Sequence, residues 1–74
     1  MAVEVELFGQ FASGAERRQT LILDQPTRVG EVADRLELNA DTIGLVVIDG
    51  IQSDIDDLVP PTCRLCFFPP ASGG

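Results

Sequence analysis

Three kinds of group in this sequence could do chemistry: the carboxylate of Gly73-Gly74, the thiols of Cys63 and Cys66, and the hydroxyls of Ser13, Ser53 and Ser72. The hydroxyls lack support. There is no His and no Lys in the chain, so none of these serines has the kind of base a hydroxyl nucleophile usually needs. The spacing Cys63-Arg64-Leu65-Cys66 invites a redox or metal reading. Its apolar surroundings, however, read as a strand, in which side chains three apart point to opposite faces. Their Cα atoms would then lie ~10 Å apart, whereas a disulfide needs about 4.4–6.8 Å. Two Cys and no His also fall short of a four-ligand zinc site, and of the four Cys that a plant-type ferredoxin requires. Cys63 is expected in the core and Cys66 partly exposed, with a persulfide relay at Cys66 as a second role.

The carboxylate is the remaining candidate. It is a poor acyl electrophile until one oxygen is made a leaving group, for example by adenylylation. Gly73 and Gly74 place no Cβ beside that carbonyl, so the segment could enter a narrow channel and take backbone angles closed to other residues. Pro69 and Pro70 stiffen the base and reduce the entropy lost on insertion. Residues 69-74, extended at ~3.3 Å each, reach ~20 Å. The competing reading is an ordinary frayed terminus, where Gly and Ser are common.

Such a tail needs a domain to project it. Val3, Val5 and Leu7 alternate with Glu4, Glu6 and Phe8, the period-two pattern of a half-buried strand. Gly9 to Arg18 reads as a loop with a turn at Ser13-Gly14, and Gln19 to Leu23 as a second strand halted by Asp24-Gln25-Pro26. Val29, Val32, Ala33 and Leu36 then follow helical spacing, with Thr27 as the expected N-cap. Glu31 and Arg35 are placed to pair on the outer face, and Gly30 weakens the first turn by up to ~1 kcal/mol. Asn39-Ala40-Asp41 ends the element. Leu45 to Ile48 is a continuous apolar strand, Asp49-Gly50 the favoured pair for a two-residue hairpin turn, and Ile51-Gln52 a short return. The acidic, Pro-containing stretch from Ser53 to Thr62 reads as surface loop. Cys63 to Phe68 forms the last strand, stopped by Pro69-Pro70.

This order of elements predicts an α+β fold: a mixed sheet of four to five strands packed on one crossover helix, the ubiquitin-like β-grasp arrangement. Residues 1-68 would form the domain and 69-74 an extended tail. If the first and last strands are parallel neighbours, a register opposing Glu4 to Arg64, Glu6 to Cys66 and Phe8 to Phe68 satisfies both alternations. It buries Val3, Val5, Leu7, Leu65 and Phe67 under the helix. Phe8 and Phe68 are left adjacent on the open face at the base of the tail, an expected interaction patch unless a loop carrying Phe11 folds over them.

Composition narrows the partners. A chain of 74 residues supports one domain with a small core. Five Arg stand against twelve carboxylates, a formal charge of −7, which disfavours binding nucleic acid or an anionic membrane. A basic protein surface is the better match. The N-terminus lacks the basic and apolar regions of a signal peptide, and no apolar run approaches the ~20 residues of a membrane span, so the cytoplasm is expected.

Three stretches resemble the MoaD/ThiS family of sulfur carriers. Phe67-Phe68-Pro69-Pro70-Ala71-Ser72-Gly73-Gly74 is similar to the Phe-Pro-Pro-x-Ser-Gly-Gly tail of molybdopterin synthase small subunits. Val32 to Leu38 resembles the family's helix with its Leu-x-Leu exit, and Val46 to Gly50 its strand and Asn-Gly turn, with Asp49 in the Asn position. The chain departs from the family at Pro60-Pro61-Thr62, where an acidic Asp-Gly-Asp turn is usual.

The resemblance implies a carrier and co-substrate, not an enzyme in its own right. A partner related to ubiquitin-activating enzymes would use ATP to adenylylate Gly74. Sulfur would then displace AMP to leave a thiocarboxylate. The large subunit of molybdopterin synthase, or another acceptor, would take that sulfur during molybdenum or tungsten cofactor synthesis. No bound cofactor or metal is implied. Gly73 would permit passage, while Phe8, Phe68, Pro69, Pro70, Ala71 and Ser72 would meet the partners. Three alternatives stand beside this one: a thiamine-pathway carrier with the same terminal dipeptide, a ubiquitin-like modifier joined through Gly74 to lysines, and a passive binding module.

Overall fold

The alternating N-terminal segment forms β1 (Ala2–Leu7), with Val3, Val5 and Leu7 buried and Ala2 and Glu4 exposed. These and the elements below come from a computed structural model, which describes residues 1–12 and 17–70. β2 (Arg18–Ile22) pairs antiparallel with β1, setting Glu4 opposite Thr20 and Glu6 opposite Arg18. β5 (Arg64–Phe68) lies parallel to β1 on its other side, in the register that the two alternations require: Glu4 with Arg64, Glu6 with Cys66, Leu7 with Phe67. β3 (Leu45–Ile48) pairs antiparallel with β5, and β4 (Ile51–Ser53) closes the far edge. The mixed five-stranded sheet runs β2-β1-β5-β3-β4, which puts β5 at its centre.

The hairpin between β3 and β4 turns at Asp49 and Gly50, whose φ values are 51° and 85°. Two positive values in succession are what a type I′ turn demands. Asp49 also ties the turn to the central strand. Its carboxylate accepts from the Arg64 amide at 2.9 Å, and its amide donates to the Arg64 carbonyl at 3.0 Å. At the other end of that approach Thr62, the residue before Cys63, holds φ 56°. A β-branched side chain in the left-handed region costs of order 1–2 kcal/mol, and this is the loop in which Pro60-Pro61-Thr62 replaces the turn usual in the resembled family.

α1 (Val29–Arg35) lies across one face of the sheet and buries Val29, Val32 and Ala33. Seven residues cannot hold a helix alone in water, so its stability comes from that packing and from its first turn. Thr27 does not cap it. The Thr27 side chain is buried and its hydroxyl donates to the Gln25 carbonyl. The cap is Arg28, whose amide donates to Glu31 Oε1 at 3.0 Å. Glu31 is therefore turned back to the helix start, and no Glu31–Arg35 pair occurs among the ion pairs of the described residues. The amides of Val29 and Gly30 donate to the carbonyls of Asp57 and Ile55 at 2.9 and 2.8 Å, so the acidic loop completes the N-terminus. A Cβ on Gly30 would stand 3.4 Å from that Ile55 oxygen, an ordinary van der Waals contact, so nothing in the packing demands the glycine that helix propensity disfavours here. Asn39 serves as cap of a 3₁₀ turn (Ala40–Thr42) rather than as the end of α1, its side chain accepting from the Asp41 amide.

Candidate functional site

β5 carries its two kinds of side chain to opposite faces. Leu65 and Phe67 are fully buried beneath α1, with Cys63 just before them. Arg64, Cys66 and Phe68 face the other way, onto the side of the sheet that no described helix covers. Phe8 directly follows β1, and its amide donates to the Phe67 carbonyl at 3.1 Å, which carries the β1–β5 pairing one step past Leu7. That step brings Phe8 beside Phe68. Their rings stack with centroids 4.3 Å apart and planes 10° from parallel. The Arg17 guanidinium lies 5.6 Å from the Phe8 ring centroid, within cation–π range. Phe11 packs against the core instead.

The apolar surface around the stacked pair extends beyond these two rings. Leu45 lies opposite Phe68 and Val47 opposite Cys66, so both project to the same face as the aromatic pair. All four of Phe8, Phe68, Leu45 and Val47 are half-buried. An uninterrupted Leu-Val-Val-Ile run has no alternation of its own to reveal this; only its pairing with β5 does. Further along the same face the charges are matched. Arg18 Nε lies 3.5 Å from Glu6 Oε2, and Arg64 Nη2 lies 3.8 Å from Glu4 Oε2. The Arg64–Glu4 pair is exposed on both sides and adds at most about 1 kcal/mol, whereas Glu6 is largely covered, at 12% side-chain exposure, against an exposed Arg18. The two pairs bring opposite charges together on the open face, while Glu31 and Asp34 lie on α1.

Cys66 corrects an expectation. It is buried at 9% exposure rather than partly exposed, because it sits on the central strand with Glu6 and Val47 on either side. Burial raises its thiol pKa, the Glu6 carboxylate raises it further, and Arg64 offsets part of this. A neutral, covered thiol is a poor nucleophile, which weighs against a relay role. Cys63, in the core, is raised for the same first reason, with Asp49 adding to it. Both cysteines are free.

At the exit of β5 the Gly44 amide donates to the Phe68 carbonyl at 2.9 Å. Pro69 is half-buried and Pro70 exposed. Pro69 lies over Gly9, where a Cβ would stand 2.6 Å from its Cγ, and Pro70 lies against Gly44. The other expected site residues, Ala71, Ser72, Gly73 and Gly74, fall outside the described residues.

No family model and no curated protein matches the chain. Solved structures do. The crystal structure of small archaeal modifier protein 1 from Haloferax volcanii aligns with TM-score 0.78 and 25% identity over 100% of both chains. A second crystal structure of that modifier gives TM-score 0.76 and 24% identity over 95% of this chain and 98% of that one. A Pyrococcus furiosus protein described as molybdopterin converting factor, subunit 1, gives TM-score 0.76 and 16% identity over 96% and 99%. With one α-helix on a mixed five-stranded sheet among the described residues, the chain thus has a ubiquitin-like β-grasp fold, and its structural neighbours match a MoaD/ThiS-like family.

Proposed function

We propose that this protein is a ubiquitin-like sulfur carrier whose Gly74 carboxylate is the working group. An oxygen of that carboxylate attacks the α-phosphorus of ATP on a ubiquitin-activating-type adenylyltransferase, and pyrophosphate leaves. A sulfur nucleophile at the oxidation level of sulfide then adds to the carbonyl, and the C–O bond to AMP breaks. The product is a thiocarboxylate, formed with no net redox change. The acceptor in this reading is the large subunit of a molybdopterin synthase, and the work is cytoplasmic, where free Cys63 and Cys66 stay reduced.

The observation that carries the reading is the placement of β5. The central strand of the sheet runs out beside the Phe8–Phe68 stack and leads into Pro69 and Pro70, so the docking patch and the tail base are one continuous surface. Phe68→Asp is expected to raise the Kd for the activating partner by about thirtyfold, the scale of one hot-spot residue. The domain should still unfold cooperatively, since Phe68 is only half-buried and its stacking adds about 0.5–1.5 kcal/mol beyond that burial. Titration calorimetry and a urea melt read the two effects separately; loss of cooperative unfolding would mark Phe68 as core instead.

A second reading, a modifier joined through Gly74 to lysines of target proteins, is favoured by the full-length likeness to a protein named as a modifier. Both readings share the adenylate. Incubation with ATP, the host's activating enzyme, sulfide and a lysine-bearing acceptor separates them by mass. Exchange of one terminal oxygen for sulfur supports the carrier, an isopeptide adduct supports the modifier, and an unchanged mass counts against both.

A further inference from the structure

The way β5 ends points to a device the proposed chemistry needs. A proline has no N–H, so Pro69 and Pro70 cannot continue the sheet's hydrogen-bond ladder. Among the described residues the last ladder hydrogen bonds are Phe8 amide to Phe67 carbonyl, 3.1 Å, and Gly44 amide to Phe68 carbonyl, 2.9 Å. Beyond that point the chain could leave in many directions. Instead it stays between the two flanking segments, and both meet it with a glycine. Gly9, after β1, has φ 60°, and a Cβ there would stand 2.6 Å from Pro69 Cγ. Gly44, before β3, has an ordinary φ, so no backbone constraint demands a glycine; a Cβ there would collide with the backbone of Pro70, and would lie 2.6 Å from the Pro70 nitrogen and 2.9 Å from the Pro69 carbonyl carbon. Neither rotation nor trimming of a side chain could relieve that second contact.

We infer that Gly9 and Gly44 form a seat for Pro69-Pro70 that fixes the direction in which the chain leaves the sheet, and that Gly44 is thereby a positioning residue for presentation of the terminal carboxylate. The inference rests on the carrier reading for its purpose and on the packing alone for its geometry. Two stiff residues held between two flat ones set the chain's heading relative to the Phe8–Phe68 patch. A partner docked on that patch then meets the tail in one orientation, without searching many. Mis-aiming lowers the fraction of docked complexes that react, and so acts on turnover rather than on docking.

The test uses the full chain and its activating enzyme, followed by ATP–pyrophosphate exchange. Gly44→Ala should lower kcat about tenfold while KM for the carrier stays within about twofold. A merely destabilised carrier would behave oppositely, since a smaller folded fraction raises apparent KM and leaves kcat at saturation unchanged. Pro70→Gly provides a second variant, leaving both glycines and every strand intact while loosening the seated segment, and it should lower kcat in the same sense. Unchanged kcat in both variants would overturn the positioning role. Independently of any enzyme, NMR should show Gly44 Hα close to Pro70 and Gly9 Hα close to Pro69 in the unaltered protein, and absence of both contacts would overturn the seat. If those contacts are present but the unaltered chain supports no exchange, the carrier reading fails and the aiming role fails with it, while the packing stands.

Discussion

Gly73→Val should cut the rate of Gly74 adenylylation by about two orders of magnitude, the cost of misplacing a reacting group by about an ångström, while leaving the domain as stable as before. Position 73 adjoins the reacting residue, and glycine there offers no Cβ to the walls of a channel and no bar to positive φ. A β-branched residue adds bulk at Cβ and confines the backbone to a smaller region. Docking should survive, because the patch of Phe8, Phe68, Leu45 and Val47 lies on the sheet. Exchange kinetics would therefore show a loss in kcat with a nearly unchanged KM, and the urea midpoint should not move. Gly73→Val differs from Phe68→Asp in this respect: the first acts on turnover, the second on affinity.

Phe67→Ala should bring the domain close to unfolding, at a cost of about 3–5 kcal/mol. Phe67 is fully buried, on the central strand, paired with Leu7 on one side and Val46 on the other. A domain of this size holds in total about 4–11 kcal/mol at the usual ~0.05–0.15 kcal/mol per residue. Most of that margin would go with one side chain, and equilibrium urea unfolding would read it as a large fall in midpoint. The neighbouring Phe68 makes the comparison decisive for the fold. One residue further along the strand, on the opposite face, Phe68 is only half-buried, and the change to Asp should lower the midpoint by much less.

The contrast between those two phenylalanines was legible from sequence because the strand period is two and both β1 and β5 alternate. Val3, Val5 and Leu7 against Glu4 and Glu6 fixed one face, and aligning β5 to it gave the observed register and the Phe8–Phe68 contact. The Asp49-Gly50 turn was legible for a local reason too, since few pairs tolerate two positive φ values. What escaped was set by distant partners. The start of α1 looked like a Thr27 cap, but carbonyls of Ile55 and Asp57, far along the chain, meet its first amides and Thr27 is buried instead. Alternation correctly placed Cys66 on the open face yet could not say how closely Glu6 and Val47 would cover it. Leu45 and Val47 were hidden inside an unbroken apolar run. Gly9 and Gly44 carry no motif at all, and their closeness to Pro69 and Pro70 appears only when three strands end side by side.

The tail begins at the end of the strand that the rest of the sheet surrounds, and the account stands on what its terminus carries. Intact-mass measurement of this protein purified from its own host, without reductive or acidic treatment, tests that most directly. The account predicts a population in which one oxygen of the Gly74 carboxylate is replaced by sulfur, absent when the activating enzyme is deleted. A terminus that carries only oxygen in both hosts would contradict it.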